Sequence, residues 1–404
     1  MERKKILITM IEVGFGHKSP AIAVKESIDS LVGEKVQADV VDFAKVSGAI
    51  RDDLMIKGSW DLALAFPLSA RVGYLLMELS GKNNQYIDVL WKEFVFKGID
   101  YIQKYQPDLV FATHALALYV AVKARETLGL DFKVIAYVVD PFDGYAWWAN
   151  EGADALLVAS NESRERLLHH GIKPEIIHTI GFPIKKSFFS IQQPCKSTLE
   201  TLGLDPDRIT ILISAGSQGI GKVYFFTEIL YLLNLKINLI VVSGKNKITK
   251  AHFDFIKKNI KSETKLASLG FVNNMNELMC SSDIVAGKAG ASTAMEALFM
   301  DKPMIFTEWA TYNDRYIIQF ARKYKIGWYC PTIASFVNTV KRAIEPGGLD
   351  VYRKNLENLM FAPGTDDVAR FLLNSIGVDT PAHSINQSAD TSQESPPEIS
   401  RSCT

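Results

Sequence analysis

The sequence predicts an α/β protein built of two doubly wound domains. Three observations carry this: apolar strand runs alternate with helical segments along most of the chain, many predicted strands run into a glycine-, histidine- or aspartate-bearing turn, and the pattern restarts after a proline-marked break. At 404 residues the chain exceeds one comfortable core, so two domains are expected on length alone.

The first series opens with a strand over Ile6–Met10, a loop holding Gly14-Phe15-Gly16-His17, and a helix over Pro20–Leu31. Val36–Phe43 alternates and reads as a second strand. Residues 51–105 look helical, with Trp60, Leu62, Leu64, Phe66 and Leu68 clustered ahead of Val72, Tyr74, Leu75, Leu76 and Leu79. Strands follow at Leu109–Thr113, ending on His114, and at Val134–Val139, ending on Asp140-Pro141. Ala155–Ala159 and Ile176–Ile180 are strands flanking a helix, Glu162–His169. Strands alternating with helices imply a parallel sheet covered on both faces.

Pro183, Pro194 and Pro206 mark residues 184–208 as the linker between a first domain, 1–183, and a second, 209–363. The second series runs from the strand Ile209–Ser214 into Ala215–Gly221, then through strands Asn238–Ser243 and Lys265–Phe271. Ile284–Ala286, the small-residue loop Gly287–Ser292, a helix to about Met300 and a further strand come next. Helices are expected near 314–324, 333–344, 351–359 and 365–376, the last lying in a C-terminal segment, 364–378. Residues 379–404 lack aromatics and are rich in Ser and Thr, which predicts a disordered tail.

Composition excludes several classes. Lys+Arg and Asp+Glu are equal at 45, so no global field favours nucleic acid. Cys195, Cys280, Cys330 and Cys403 are scattered, which argues against a metal site or a disulfide framework and fits a reducing cytoplasm. The N-terminal apolar run is too short for a signal segment, and no run of about 18 apolar residues predicts a membrane span. Any meeting with a membrane is expected at its surface.

The stretch Asp283–Thr307 places small residues before a helix start, where backbone N–H groups and the helix dipole favour an anion, most simply a phosphate or diphosphate. Glu296 has two readings: a capping box with Thr293, or an acceptor for a ribose diol. Gly216-x-x-x-x-Gly221-Lys222 nearly spells a P-loop, but Val223 stands where a hydroxyl would meet magnesium, so a loop approaching a ligand is favoured. His17, at a strand-to-helix turn, has the residue type for a general base, and His114 and Asp140 also sit at strand ends. Trp147-Trp148 in a loop suggests packing on a ligand or another domain, whereas His169 and His170 read as solvated. The Trp60–Leu79 region reads equally as core helix or membrane surface, since residues 51–104 hold seven basic and seven acidic side chains.

In order, Gly14–His17, Pro107–His114, Asp140–Trp148, Gly181–Pro183, Gly216–Gly221, Ser243–Asn246, Gly270–Val272 and Lys288–Leu298 resemble the two-domain nucleotide-sugar glycosyltransferases of the branch with plant monogalactosyldiacylglycerol synthase and bacterial processive diacylglycerol glucosyltransferase. The resemblance implies a GT-B fold, two Rossmann-like domains facing a cleft, and an inverting transfer needing neither metal nor cofactor. It implies a UDP-sugar held by Gly216, Ser217, Gln218 and Gly219, by Gly244, Lys245 and Asn246, by Phe271 and Val272 at the uracil, by Lys288, Ala289, Gly290, Ala291, Ser292 and Thr293 at the diphosphate, by Glu296 at the ribose, and by Asn313. The first domain would bind a lipid acceptor such as diacylglycerol at the cytoplasmic membrane face, with His17 as base and Gly16, His114, Asp140 and Trp148 on the acceptor side.

This sequence departs from the pattern in three places. The sugar-reading loop is Glu308-Trp309-Ala310-Thr311-Tyr312-Asn313-Asp314-Arg315 rather than Gly-Gln-Glu followed by Asn. Tyr145 replaces a common His, and His114-Ala115-Leu116-Ala117-Leu118 loses both the Pro and the Gln of His-Pro-x-x-Gln. The sugar and the lipid are therefore open. A UDP-sugar 2-epimerase and a non-catalytic UDP-sugar or lipid binder stand as alternatives.

Overall fold

The computed structural model describes residues 3–80, 86–189, 196–359, 361 and 363–381. Two six-stranded sheets form its frame. The first comprises β1 (Lys4–Met10), β2 (Val36–Asp42), β3 (Leu109–Ala112), β4 (Lys133–Tyr137), β5 (Ala155–Val158) and β6 (Ile177–Thr179), in the order β2-β1-β3-β4-β5-β6. The second comprises β7 (Thr210–Ser214), β8 (Asn238–Val242), β9 (Lys265–Leu269), β10 (Ile284–Lys288), β11 (Met304–Glu308) and β12 (Gly327–Tyr329), in the order β12-β11-β10-β7-β8-β9. Every paired strand is parallel. Central strands such as β3, β5, β7 and β8 are buried at every residue, because helices cover both faces of each sheet.

Strand order decides where ligands go. In the first sheet the direction of winding reverses between β1 and β3, and in the second between β7 and β10. At such a switch point adjacent loops diverge to opposite faces and leave a crevice at the carboxyl ends of the strands. The first crevice is edged by the loop after β1, with His17, and the loop after β3, with His114. The second is edged by Ala215–Lys222 and by Ala289–Gly290.

Several expectations are refined. A helix, Lys247–Asn259, follows β8, and the short edge strand β12 completes the second sheet; neither was anticipated. The 184–208 stretch contains a short helix, Lys196–Thr201, while 190–195 lie outside the described residues. The helix Thr365–Ser375 returns to the first domain and packs on Lys18–Val32. Ser27 Oγ donates to Asp366 at 2.5 Å, and Ile184 N–H donates to Thr365 Oγ1 at 2.8 Å. The tail predicted to be disordered falls, from residue 382 on, outside the described residues. No helix among the described residues is long and apolar enough to cross a membrane.

Candidate active site

The two switch points face each other across one cavity of about 450 Å³. On the first-domain side, His17 Nδ1 lies 2.6 Å from the Thr113 carbonyl oxygen. A carbonyl only accepts, so Nδ1 carries the proton and Nε2 keeps a lone pair. Burial pushes the His17 pKa down to about 4, so the ring is neutral at physiological pH. His114 caps the helix Ala115–Leu128: its Nδ1 accepts from Leu116 N–H at 3.2 Å, which puts the neutral ring's proton on Nε2. The two rings are 4.5 Å apart, and burial together with His17 holds His114 well below the usual histidine range. The site thus presents one imidazole acceptor beside one imidazole donor.

Asp140 joins the domains. Its Oδ2 accepts from Trp148 Nε1 at 2.9 Å, and its Oδ1 accepts from Asn313 Nδ2 of the second domain. Burial raises its pKa to about 7, against the two hydrogen bonds. Trp148 is fully buried behind this carboxyl and does not line the cavity; its neighbour Trp147 does. Beside this bridge, the Arg71 guanidinium lies 3.7 Å from the Trp309 ring centre and Tyr74 packs on Tyr312 at 5.3 Å. The loop expected to read the sugar therefore rests on the helix Pro67–Ser80. That helix is fixed in turn by Tyr74 to Asp143 at 2.7 Å and Glu78 to Arg166 at 2.7 Å.

On the second-domain side, Gly216, Ser217, Gln218, Lys288, Gly290, Ala291, Ser292, Thr293 and Asn313 line the cavity, opposite Gly16, His17, His114 and Asp140. The helix Ala291–Phe299 begins after Gly290 with no side-chain cap, so its first N–H groups remain available to an anion. Glu296 is consequently in the second turn. The capping-box reading fails, because a box needs the carboxylate at the third helical position. Burial lifts the Glu296 pKa to about 8, with Lys185 opposing.

The remaining anticipated residues stand behind or beside the cavity. Asn246 caps the helix Lys247–Asn259 through Oδ1 and donates from Nδ2 to the Gly219 carbonyl at 3.0 Å, while Lys245 N–H donates to the Ser217 carbonyl at 2.8 Å. Gly219 and Gly244 both take positive φ, and a Cβ would sit 1.8 Å from Ser243 O and 2.3 Å from Ser217 O respectively. Only glycine permits these two loops to lock together. Ala289 is buried, Val272 is half-buried, and Phe271 is 48% exposed with its ring 6.2 Å from Phe15 across the cleft. Lys222, the P-loop-like lysine, turns away to donate to the Pro331 carbonyl at 3.1 Å.

Sequence reasoning set Thr311 and Asp314 in the sugar-reading loop without a role of their own; they line the cavity and form a capping box at Tyr312–Lys323. The Thr-x-x-Asp pattern was a usable signal. Sequence reasoning missed the cavity wall made by Ile56, Ala63, Gly73 and Trp91, which carries no local signature.

Comparison with known proteins agrees with the fold. Residues 17–184 match the monogalactosyldiacylglycerol (MGDG) synthase family model, and residues 210–346 match the glycosyltransferase family 28 C-terminal domain. The chloroplastic monogalactosyldiacylglycerol synthase of Spinacia oleracea is 24% identical over 85% of this chain and 66% of its own length. The processive diacylglycerol beta-glucosyltransferase of Staphylococcus aureus is 29% identical over 52% of each chain. The chain therefore spans less than two thirds of the length of these relatives. The crystal structure of Acinetobacter baumannii MurG superposes with a TM-score of 0.58 at 14% identity, covering 92% of this chain and 99% of that one, a likeness of fold. A monogalactosyldiacylglycerol synthase match followed by a glycosyltransferase family 28 C-terminal match, on a frame shared with a glycosyltransferase structure, makes this chain similar over both domains to the glycosyltransferases that include monogalactosyldiacylglycerol synthase and processive diacylglycerol glucosyltransferase.

Proposed function

We propose that this protein is an inverting glycosyltransferase that moves a hexose from a UDP-sugar to the hydroxyl of a membrane lipid such as diacylglycerol, with His17 as base. The observation that carries the reading is the juxtaposition of an imidazole lone pair with an uncapped helix start in one cavity between two switch points.

In this reaction the acceptor oxygen forms a bond to the anomeric carbon from the face opposite the departing UDP. Its proton passes to His17 Nε2, and the bonding pair of the broken C–O bond leaves on the UDP diphosphate. The N–H groups at Ala291–Thr293 and the Lys288 ammonium meet that charge, a fixed-dipole and cation arrangement that needs no bound metal or cofactor. His114 Nε2–H is placed to hold the acceptor or the sugar by a hydrogen bond. Glu296 takes the ribose, Phe271 and Val272 flank the base, and the braced loop of Gly216–Gly219 and Gly244–Asn246 supports the phosphates. Asp140 and Asn313 keep the two domains in register at the sugar.

A lipid acceptor agrees with the names of the relatives and with the surface of the first domain. Ile50, Leu54, Phe66, Leu68, Leu75, Leu76, Leu79, Val89 and Leu90 are all exposed, with Leu79 at 83%. An apolar patch of this extent suits a peripheral contact with the cytoplasmic face of a membrane. Each leucine contributes about 2 kcal/mol on burial, so Leu75→Asp with Leu79→Asp lowers vesicle binding by on the order of 10²–10³-fold. Sedimentation with phospholipid vesicles measures this, and UDP affinity stays unchanged.

The test of the function is a screen of UDP-sugars against diacylglycerol in liposomes, read as UDP release and glycolipid formed. Turnover of a UDP-sugar without any acceptor identifies an epimerase instead, and UDP binding without turnover identifies a binding protein.

A further inference from the structure

The cavity continues past the residues assigned to the donor and the base. Past the His17 end, its wall is mostly apolar: Ile56, Trp60, Ala63, Gly73, Met77 and Trp91 line it, with Ser59 and Ser69 among them, from the helices Ile50–Ala65 and Pro67–Ser80 and from the segment just before Lys92. These two helices are the ones whose outer faces carry exposed leucines. Trp60 marks the join between the two ends of the cavity. Its Nε1 lies 3.8 Å from where a Cβ on Gly14 would stand, in the loop that carries His17, and its ring is 6.0 Å from Lys288 Nζ. At Gly73 the wall is open: an added Cβ meets nothing within 4 Å.

From this continuity we infer that the apolar end is a slot for the glycerol-proximal part of an acyl chain, so that the acceptor is drawn partly out of the membrane to reach His17. The inference takes its ligand class from the lipid-acceptor reading above. A chain lying in a bilayer is already out of water. Lifting its hydroxyl to the base exposes methylenes, and each one left in water reduces the occupied fraction about fourfold. A slot of aliphatic and indole surface removes that penalty, because the methylenes pass from one apolar setting to another. The aromatic walls also restrict the chain's direction, which holds the hydroxyl at the His17 end.

Gly73→Leu places a branched side chain in the slot without touching the histidines or the helix start at Ala291, and Gly73→Ala is the conservative control. In mixed micelles, a diacylglycerol with dibrominated acyl chains quenches tryptophan fluorescence in the unmodified protein through Trp60, Trp91 and Trp147. The quenching is lost in Gly73→Leu and kept in Gly73→Ala, with UDP affinity by calorimetry equal in all three. Acceptor KM rises at least tenfold in Gly73→Leu, and kcat changes less. Equal quenching in Gly73→Leu, or no quenching in the unmodified protein while UDP still binds, overturns the slot. Quenching that follows the expected pattern, with no transfer from any UDP-sugar, overturns the transferase reading and leaves the slot standing.

Discussion

Replacing His17 by alanine lowers kcat by about 10²–10⁴-fold, the usual contribution of a positioned general base, and leaves UDP affinity unchanged. The second half follows from the fold: the groups proposed for the donor all belong to the second domain, beyond β7 to β11, whereas His17 belongs to the loop after β1. The pH dependence separates a base from a structural histidine. With its pKa pushed down to about 4 by burial, His17 carries its lone pair across the neutral range, so the acid limb of kcat/KM falls near pH 4 rather than near the ordinary 6.5. The same shift acts on stability. Between pH 6.5 and 4 the unfolded chain takes up a proton that the folded ring refuses. The stability contributed by the neutral ring is therefore full above 6.5 and is lost as pH falls, by at most about 1.4 kcal/mol per unit and less for a half-buried ring. His17→Ala accordingly removes the acid limb from any residual rate and flattens the acid side of the melting curve. An alanine variant with full activity removes the base assignment.

The architecture was legible because parallel strands covered on both faces are written as short apolar runs, such as Leu109–Ala112 and Thr210–Ser214, each closed by a turn that could be seen in the sequence. What escaped has identifiable causes. The helix Lys247–Asn259 buries only Phe253 and Ile256, so its apolar period is too sparse to register beside five lysines and histidines. β12 is three residues long and lies at a sheet edge. For Glu296 the Thr-x-x-Glu pattern was real, but the extended backbone of Gly290 starts the helix three residues before the position the pattern requires. Strand order is absent from any local pattern, and strand order is what turns His17, His114 and the Gly290 loop from scattered residues into one site. The same holds for the Asp140–Asn313 bridge, whose partners are 173 residues apart. Trp147 and Trp148 show how finely this divides: the pair was expected to pack on a ligand or another domain, whereas one ring lines the cavity and the other supports a carboxyl of its own domain behind it.

Glu296→Gln is expected to weaken UDP-sugar binding by roughly 10–100-fold while making the unliganded protein more stable at alkaline pH. The loss reflects hydrogen bonds from the two ribose hydroxyls to a charged acceptor, worth about 1.5–3 kcal/mol against a neutral amide. The gain has a different origin. Burial raises the Glu296 pKa from 4.5 to about 8, outweighing the nearby Lys185. Across that window the folded protein holds a proton that the unfolded chain has released. Stability therefore declines as pH rises from 4.5, by at most about 1.4 kcal/mol per unit, and levels off above 8. Water reaches a half-buried carboxyl, so the accumulated cost is about 1–2 kcal/mol rather than the full product. Glutamine carries no such cost, and the melting temperature of Glu296→Gln should overtake that of the unmodified protein between pH 5 and 9. Donor binding reverses the balance, since a ribose diol donates to the ionised form and pulls the pKa down. UDP binding near pH 7 then releases a proton, measurable by calorimetry in buffers of different ionisation enthalpy, and the release disappears in Glu296→Gln. Retained affinity together with unchanged proton release would remove Glu296 from the ribose. On the proposed reading of the site the two effects have one cause: the carboxyl is kept in a setting too dry for its charge until a nucleotide supplies the hydrogen bonds, so stability is given up at this position for donor recognition.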